Sequence, residues 1–243
     1  MEGKTNLMKS YFYYFISIPV YALLYLFTAL SVLICLFLYG LNLKRARNSC
    51  IRFWAKGSFF IMGVNIHVHG TEFLEKGKNY LLLANHTSLF DIMAIMAFFP
   101  NVSWFGREYL TKIPVFGSFL KSINYIPMVT ANIRNTKVML EKLVHNSKGL
   151  TIAMFPEGTR TLDGKMGNLR RGFIHVFRAA ELEILPVTLS GLYELKPKTR
   201  FYIKFNAKVD VFIHQPIPKL SMVEKSDNEI ISEVKEIIES GYY

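Results

Sequence analysis

The sequence predicts an α/β fold, a mainly parallel mixed sheet flanked by helices, behind an N-terminal hydrophobic membrane-anchoring helix or helical hairpin. Three observations predict it. Short apolar strands alternate with helical patterns of about ten residues through the middle of the chain, as βαβ units do. Ser10 to Leu43 holds no charged residue, whereas a bilayer core needs only about 20 apolar residues as a helix. The 243 residues suit one packed domain plus an appendage. We therefore divide the chain into an anchor with a basic juxtamembrane strip, residues 1–50, and a globular domain, residues 51–243.

The anchor comes first. Its length permits one tilted crossing, and Pro19 also permits a two-part hairpin set into one leaflet. A cleaved signal peptide is disfavoured, because the apolar run exceeds the roughly 7–15 residues of such a region and no small-residue cleavage site follows. The net charge of +11 has a location. Lys44, Arg45, Arg47, Arg52 and Lys56 follow the apolar run directly, which places the C-terminal bulk on the cytoplasmic side, at the cell inner membrane or another cytoplasm-facing membrane. The same strip suits an anionic membrane surface as a partner. Nucleic acid is not expected, since these cations adjoin an apolar segment and form no recognisable binding module. Cys35 and Cys50 offer neither a disulfide framework nor metal spacing.

The remaining elements follow in order. Arg52–Met62 reads as a helix and Val64–His69 as a half-exposed strand. Tyr80–Ala84 is a buried strand, and Leu89–Phe99 a helix stopped by Pro100. Strands at 102–105, 125–129, 150–155 and 184–189 alternate with helices at 115–123, 134–145 and 171–180. Phe201–Phe205 and Lys208–Ile213 read as a hairpin or edge strands. A final helix starts at a capping box, Ser226 to Glu229, and carries Ile230, Ile231, Val234, Ile237 and Ile238 on one face.

The chemistry centres on Asn85-His86-Thr87-Ser88-Leu89-Phe90-Asp91, directly after a buried strand, where α/β folds place ligand-binding groups. Five residues turn about 140° on a straight helix, so His86 and Asp91 would not share a helical face. They meet only if His86 sits on the turn before the helix and Asp91 in its first turn, with Thr87 and Ser88 as capping residues. Asp91 would then fix the imidazole tautomer and leave the other nitrogen to take a proton. No Gly-x-Ser-x-Gly elbow or reactive cysteine accompanies the pair. The base is therefore expected to activate a hydroxyl of the substrate, with direct transfer and no covalent enzyme intermediate.

Three further segments support a ligand site. In Phe155-Pro156-Glu157-Gly158-Thr159-Arg160, Gly158 admits close backbone approach, Thr159 offers a hydroxyl and Arg160 suits a phosphate. Leu169-Arg170-Arg171-Gly172 adds two cations before a helix N-terminus. Ile184-Leu185-Pro186-Val187 is an apolar strand whose proline suggests a groove wall. His67 and His69 are expected to face solvent. Ile113–Leu120 reads as core or as a lipid-facing ramp, and Lys196, Lys198 and Arg200 as a solvated or headgroup-touching loop.

The three blocks Asn-His-Thr-Ser-Leu-Phe-Asp, Phe-Pro-Glu-Gly-Thr-Arg and Ile-Leu-Pro-Val, in that order, resemble signature blocks of the glycerolipid acyltransferase family. The resemblance covers roughly residues 60–210. It implies an acyl thioester, acyl-CoA or acyl carrier protein, as donor to a lysophospholipid hydroxyl, and no cofactor or metal. It implies His86 as the base held by Asp91, with Glu157, Gly158, Thr159 and Arg160 around the acceptor's phosphate. Asn85, Arg107 and Arg171 join that substrate-binding set. One block departs: Asn124-Tyr125-Ile126-Pro127-Met128-Val129-Thr130 has Asn124 where the family has glycine and Thr130 where it has arginine. In Phe105-Gly106-Arg107-Glu108, Gly106 stands where a lysine is common. The expected product is phosphatidate. Another lyso-lipid acceptor, transfer to water and a non-catalytic lipid-binding protein are the alternatives.

Overall fold

The computed structural model describes residues 2–128 and 149–242, with side chains described from Ser10 onward except at Arg107 and Met128. Seven strands form one sheet: β1 (Ile66–His69), β2 (Tyr80–Ala84), β3 (Val102–Arg107), β4 (Ile126–Met128), β5 (Thr151–Met154), β6 (Glu183–Ser190) and β7 (Val209–Ile213), in the order β1-β7-β6-β2-β5-β3-β4. Every neighbouring pair is parallel except β6 with β7. The predicted α/β class is thus the observed one. Tyr80 to Ala84 are buried on both faces, as a central parallel strand covered by helices must be.

The helices are α1 (Glu2–Gly40), α2 (Lys44–Ile61), α3 (Asp91–Met96), α4 (Phe116–Ser122), α5 (Gly172–Ala179), α6 (Leu192–Leu195), α7 (Lys219–Met222) and α8 (Asp227–Glu239). Two apolar layers sandwich the sheet. One holds Leu82, Ala84, Ile95 and Trp104 with residues of α1 and α2. The other packs Leu81, Leu83 and Ile152 against Phe173 and Phe177 of α5 and Ile230, Val234 and Ile238 of α8. The capping box at Ser226 and Glu229 forms as expected. The expected helix at 134–145, and Val129 and Thr130, lie outside the described residues.

The anchor is a hairpin, but its break is not at Pro19. α1 runs through Pro19 and ends at Gly40, and the chain reverses at 41–43, where Asn42 takes φ 56°. α2 then returns along α1, so the boundary drawn between residues 50 and 51 runs through one helix. Trp54 Nε1 donates to Thr28 Oγ1 at 3.0 Å, and the free thiols of Cys35 and Cys50 meet at 3.4 Å. Ser10–Gly40 is long and apolar enough to cross a membrane. Its outward face is aromatic and aliphatic, with Phe12, Phe15, Tyr25, Leu26 and Phe37 among the exposed side chains.

Residues 201–205 are not a strand, which corrects the expected hairpin. Their aromatics are held by α1 instead: Tyr13 stacks on Tyr202 and Tyr14 on Phe201, while Ser17 Oγ accepts the N–H of Ile203. β7 is accordingly not an edge but an interior strand between β1 and β6. Pro186 is no groove wall; it is buried in β6 beside Leu83. Its carbonyl accepts from His214 just past the end of β7, so the missing N–H falls where no strand remains to use it. The segment 113–120 divides: Phe119 and Leu120 are core, whereas Ile113, Val115 and Phe116 are exposed.

Candidate active site

His86 leaves the C-terminal end of β2, and five residues of turn bring Asp91 to the start of α3. Their side chains meet at 2.7 Å, Nδ1 to Oδ2. Asp91 is fully buried and bonded beyond His86: Oδ2 also accepts the N–H groups of Thr87 at 2.6 Å and Ser88 at 2.9 Å, and Oδ1 the Thr87 hydroxyl at 3.3 Å. A buried carboxylate ringed by donors acts only as an acceptor, so Nδ1 carries the imidazole proton and Nε2 is bare. Among the described residues Nε2 has no hydrogen-bond partner. The ring is stacked on Phe155 at 3.9 Å between centroids, and Phe155 in turn on Trp104.

Thr87 and Ser88 do not cap α3, whose N-cap is Phe90 without a side-chain bond. Asp91 reverses the expected relationship by reaching back to their backbone. Ser88 Oγ donates to the Lys196 carbonyl at 2.7 Å and accepts the Phe90 N–H at 3.3 Å.

The second block wraps the first. Glu157 accepts the His86 N–H on Oε1 at 2.7 Å and the Gly167 N–H on Oε2 at 2.8 Å. Thr161 N closes the loop onto the His86 carbonyl at 2.9 Å. Burial pushes the Glu157 carboxyl above the usual range, opposed by its two N–H donors. Gly158 takes φ 71°, and Arg170 lies across it: a Cβ there would stand 3.0 Å from Arg170 Nε. Thr159 is exposed and Arg160 half-buried beyond it.

Not every expected residue faces the site. Asn85 is fully buried, and its amide forms a closed pair with the Leu189 backbone, 2.9 Å to the carbonyl and 2.7 Å from the N–H. As placed, Asn85 and Glu157 bond the backbone of Leu189, His86 and Gly167 and so brace the His86 turn. Arg171 turns to Asn228 at the start of α8; its neighbour Arg170 is the one beside Gly158. Arg107 ends β3, but its side chain is outside the described residues. A Cβ at Gly106 would meet the Tyr125 hydroxyl at 2.3 Å, so a lysine there would require that tyrosine to move. His67 and His69 are exposed, as expected, although His69 Nε2 bonds Asp210 at 2.8 Å. No group of three metal-ligating side chains occurs among the described residues.

One neighbour was not named from the sequence, and another was named without its tie to the motif. The hydroxyl of Tyr242, past the end of α8, is buried. Burial and then the charge of Glu157 push its pKa up. Lys196 is tied to the motif through Ser88, a contact fixed by the path of the chain after β6 and not by any local pattern.

Comparisons with known proteins give the family. A family model described as Acyltransferase matches residues 65–190, half of the chain. The chain is 29% identical over 181 residues to a 1-acyl-sn-glycerol-3-phosphate acyltransferase of Borreliella burgdorferi, covering 71% of this chain and 70% of that one. It is 26% identical over 168 residues to a chloroplastic 1-acyl-sn-glycerol-3-phosphate acyltransferase of Arabidopsis thaliana, covering 68% of this chain but 47% of that protein. The chain thus spans about half the length of the first curated relatives it matches. The crystal structure of the 1-acyl-sn-glycerophosphate acyltransferase PlsC from Thermotoga maritima superposes with a TM-score of 0.74 at 29% identity, covering 99% of this chain and 96% of that one. With the family model spanning the whole His86-to-Ser190 core, the chain belongs to the acyltransferase family.

Proposed function

We propose that this chain transfers an acyl group from an acyl thioester, acyl-CoA or acyl carrier protein, to the free hydroxyl of 1-acyl-glycerol-3-phosphate, making phosphatidate at a cytoplasm-facing membrane. The observation that carries this is the 2.7 Å contact of His86 Nδ1 with buried Asp91, which leaves Nε2 bare. Nε2 takes the hydroxyl proton as the oxygen attacks the thioester carbonyl. Asp91 stabilises the imidazolium that forms. The tetrahedral intermediate then expels the thiolate, which recovers the proton from Nε2, so no group is left on the enzyme and no cofactor is consumed. The names of the three relatives given above, each a 1-acyl-glycerol-3-phosphate acyltransferase, support this acceptor. The aromatic face of α1 and the basic residues of α2 support membrane attachment, and the basic strip after the apolar run supports a cytoplasmic active site.

The test is growth of a bacterium with a temperature-sensitive lysophosphatidate acyltransferase, carrying this chain or its His86→Ala variant. Wild type should restore growth and the variant should not. If the wild type is made and inserted yet fails to rescue, another lyso-lipid acceptor takes precedence, read from a panel of lyso-lipids with labelled acyl-CoA.

A further inference from the structure

The first cation-bearing loop after β6 was expected to be solvated or to touch lipid headgroups, with no tie to the His86 motif. Instead, residues 196–200 are fastened to the catalytic turn. Ser88 donates its hydroxyl to the Lys196 carbonyl and bridges to Pro197 as an antiparallel pair. On the other side of His86, Thr161 N holds the His86 carbonyl, which places Arg160 one residue from that bond. Lys196 and Arg160 are thus each tethered to the His86 turn by a single hydrogen bond, and both are half-buried.

Neither has an acidic partner among the described residues; the only bond of the Lys196 ammonium is to the carbonyl of Pro197 at 3.0 Å. Burial, and then the nearby charges of Arg160 and Arg200, hold that ammonium below the usual lysine range. Arg200 is a brace and not a ligand. Its guanidinium bonds the carbonyls of Glu194, Leu195 and Tyr202 and lies over the Tyr202 ring at 4.7 Å. A half-buried ammonium that feels the charge of Arg160 and has no carboxylate partner among the described residues suits an anion supplied from outside.

We propose that Lys196 joins Arg160, which the family resemblance already sets at the acceptor's phosphate, in cradling that phosphomonoester beside His86, and supplies the cation that Gly106 leaves out on the β3 side. This rests on the acceptor assigned above and names the residue that selects it. A phosphate of the acyl donor has the same chemistry, so the two sources must be separated by experiment.

Steady-state kinetics on membranes containing wild type, Lys196→Met and Lys196→Arg separates them. Losing one charge-assisted bond should raise KM for lysophosphatidate about 10- to 100-fold, with kcat changed far less and KM for acyl-CoA unmoved. Lys196→Arg should restore most of the affinity. The wild-type KM for lysophosphatidate should also climb at alkaline pH, earlier than an ordinary lysine titrates, and the arginine variant should lack that limb. If Lys196→Met raises KM for acyl-CoA instead, the cradle belongs to the donor and the assignment fails. If wild type uses lysophosphatidate and Lys196→Met uses it equally well, the cradle alone fails. If wild type prefers a lyso-lipid without a phosphomonoester, the acceptor assignment falls and the cradle falls with it.

Discussion

Glu157 holds the backbone of His86: Oε1 accepts the His86 N–H at 2.7 Å, and Oε2 the N–H of Gly167 at 2.8 Å. The carboxylate thus ties the loop after β5 to the turn after β2. Both oxygens are needed as acceptors, and a carboxamide has only one. Glu157→Gln should therefore leave one buried N–H facing an NH2 group and cost about 1–3 kcal/mol. The pH dependence is distinctive. Because burial raises the folded pKa of Glu157, the stability tied to its titration is complete below about 4.3, the unfolded value. It is lost as pH rises through the folded value. The glutamine does not titrate, so the advantage of wild type over Glu157→Gln should shrink from pH 4 to pH 7. Urea midpoints in detergent at the two pH values measure it, and a gap independent of pH would contradict the assigned cause.

Asp91→Asn tests the orientation of the base. The asparagine has one acceptor oxygen for the three donors that converge on Oδ2, and its NH2 group favours the wrong imidazole tautomer. Activity should fall on the order of 10⁴-fold in kcat, as when the orienting carboxylate of a catalytic triad is replaced. Because the change is isosteric, the folded chain should still be recovered from membranes. Activity within tenfold of wild type would exclude Asp91 from the catalytic role.

Much of this was legible in the sequence where local pattern decides structure. The apolar run Tyr80–Ala84 read as a buried strand, and the i to i+5 offset let His86 meet Asp91 only from a turn before the helix. Contacts set by chain path were not legible. Residues 201–205 have strand-forming composition, yet Tyr13 and Tyr14 of α1, far away in sequence, supply a better partner than a sheet edge. Arg170 and Arg171 are indistinguishable in sequence; only the position of Asn228 at the start of α8 turns the second away. Lys196 was read as a loop charge because nothing near it announces Ser88.

Asn85 should behave as a structural residue despite standing beside the base. Its amide saturates the N–H and carbonyl of Leu189 in a fully buried position. Asn85→Ala leaves both orphaned and should lower stability by about 2–4 kcal/mol, on the scale of two unsatisfied buried groups. The KM of the molecules that remain folded should be unchanged. A raised KM for the acceptor without a fall in melting temperature would instead return Asn85 to the ligand-binding set.

The last prediction concerns how α1 meets the bilayer. Contacts with the rest of the chain run along α1 from Tyr13, stacked on Tyr202, to Cys35, against Cys50 of α2. That is about 33 Å of helix at 1.5 Å per residue, as long as the roughly 30 Å hydrocarbon core is thick. Phe27, near the middle of the apolar stretch, shares a groove with Arg52 and Lys56 of α2. An upright crossing would carry both cations to mid-membrane, at about 2.5–3.5 kcal/mol each. It would also drag residues 201–205 into lipid. Lying in one leaflet, α1 buries its aromatic face and leaves the cations at headgroup depth. Single cysteines placed at Tyr11 and Lys44, in a background with Cys35 and Cys50 replaced by serine, should react with an impermeant maleimide from the same side of sealed vesicles. Labelling from opposite sides would mean that α1 crosses the membrane.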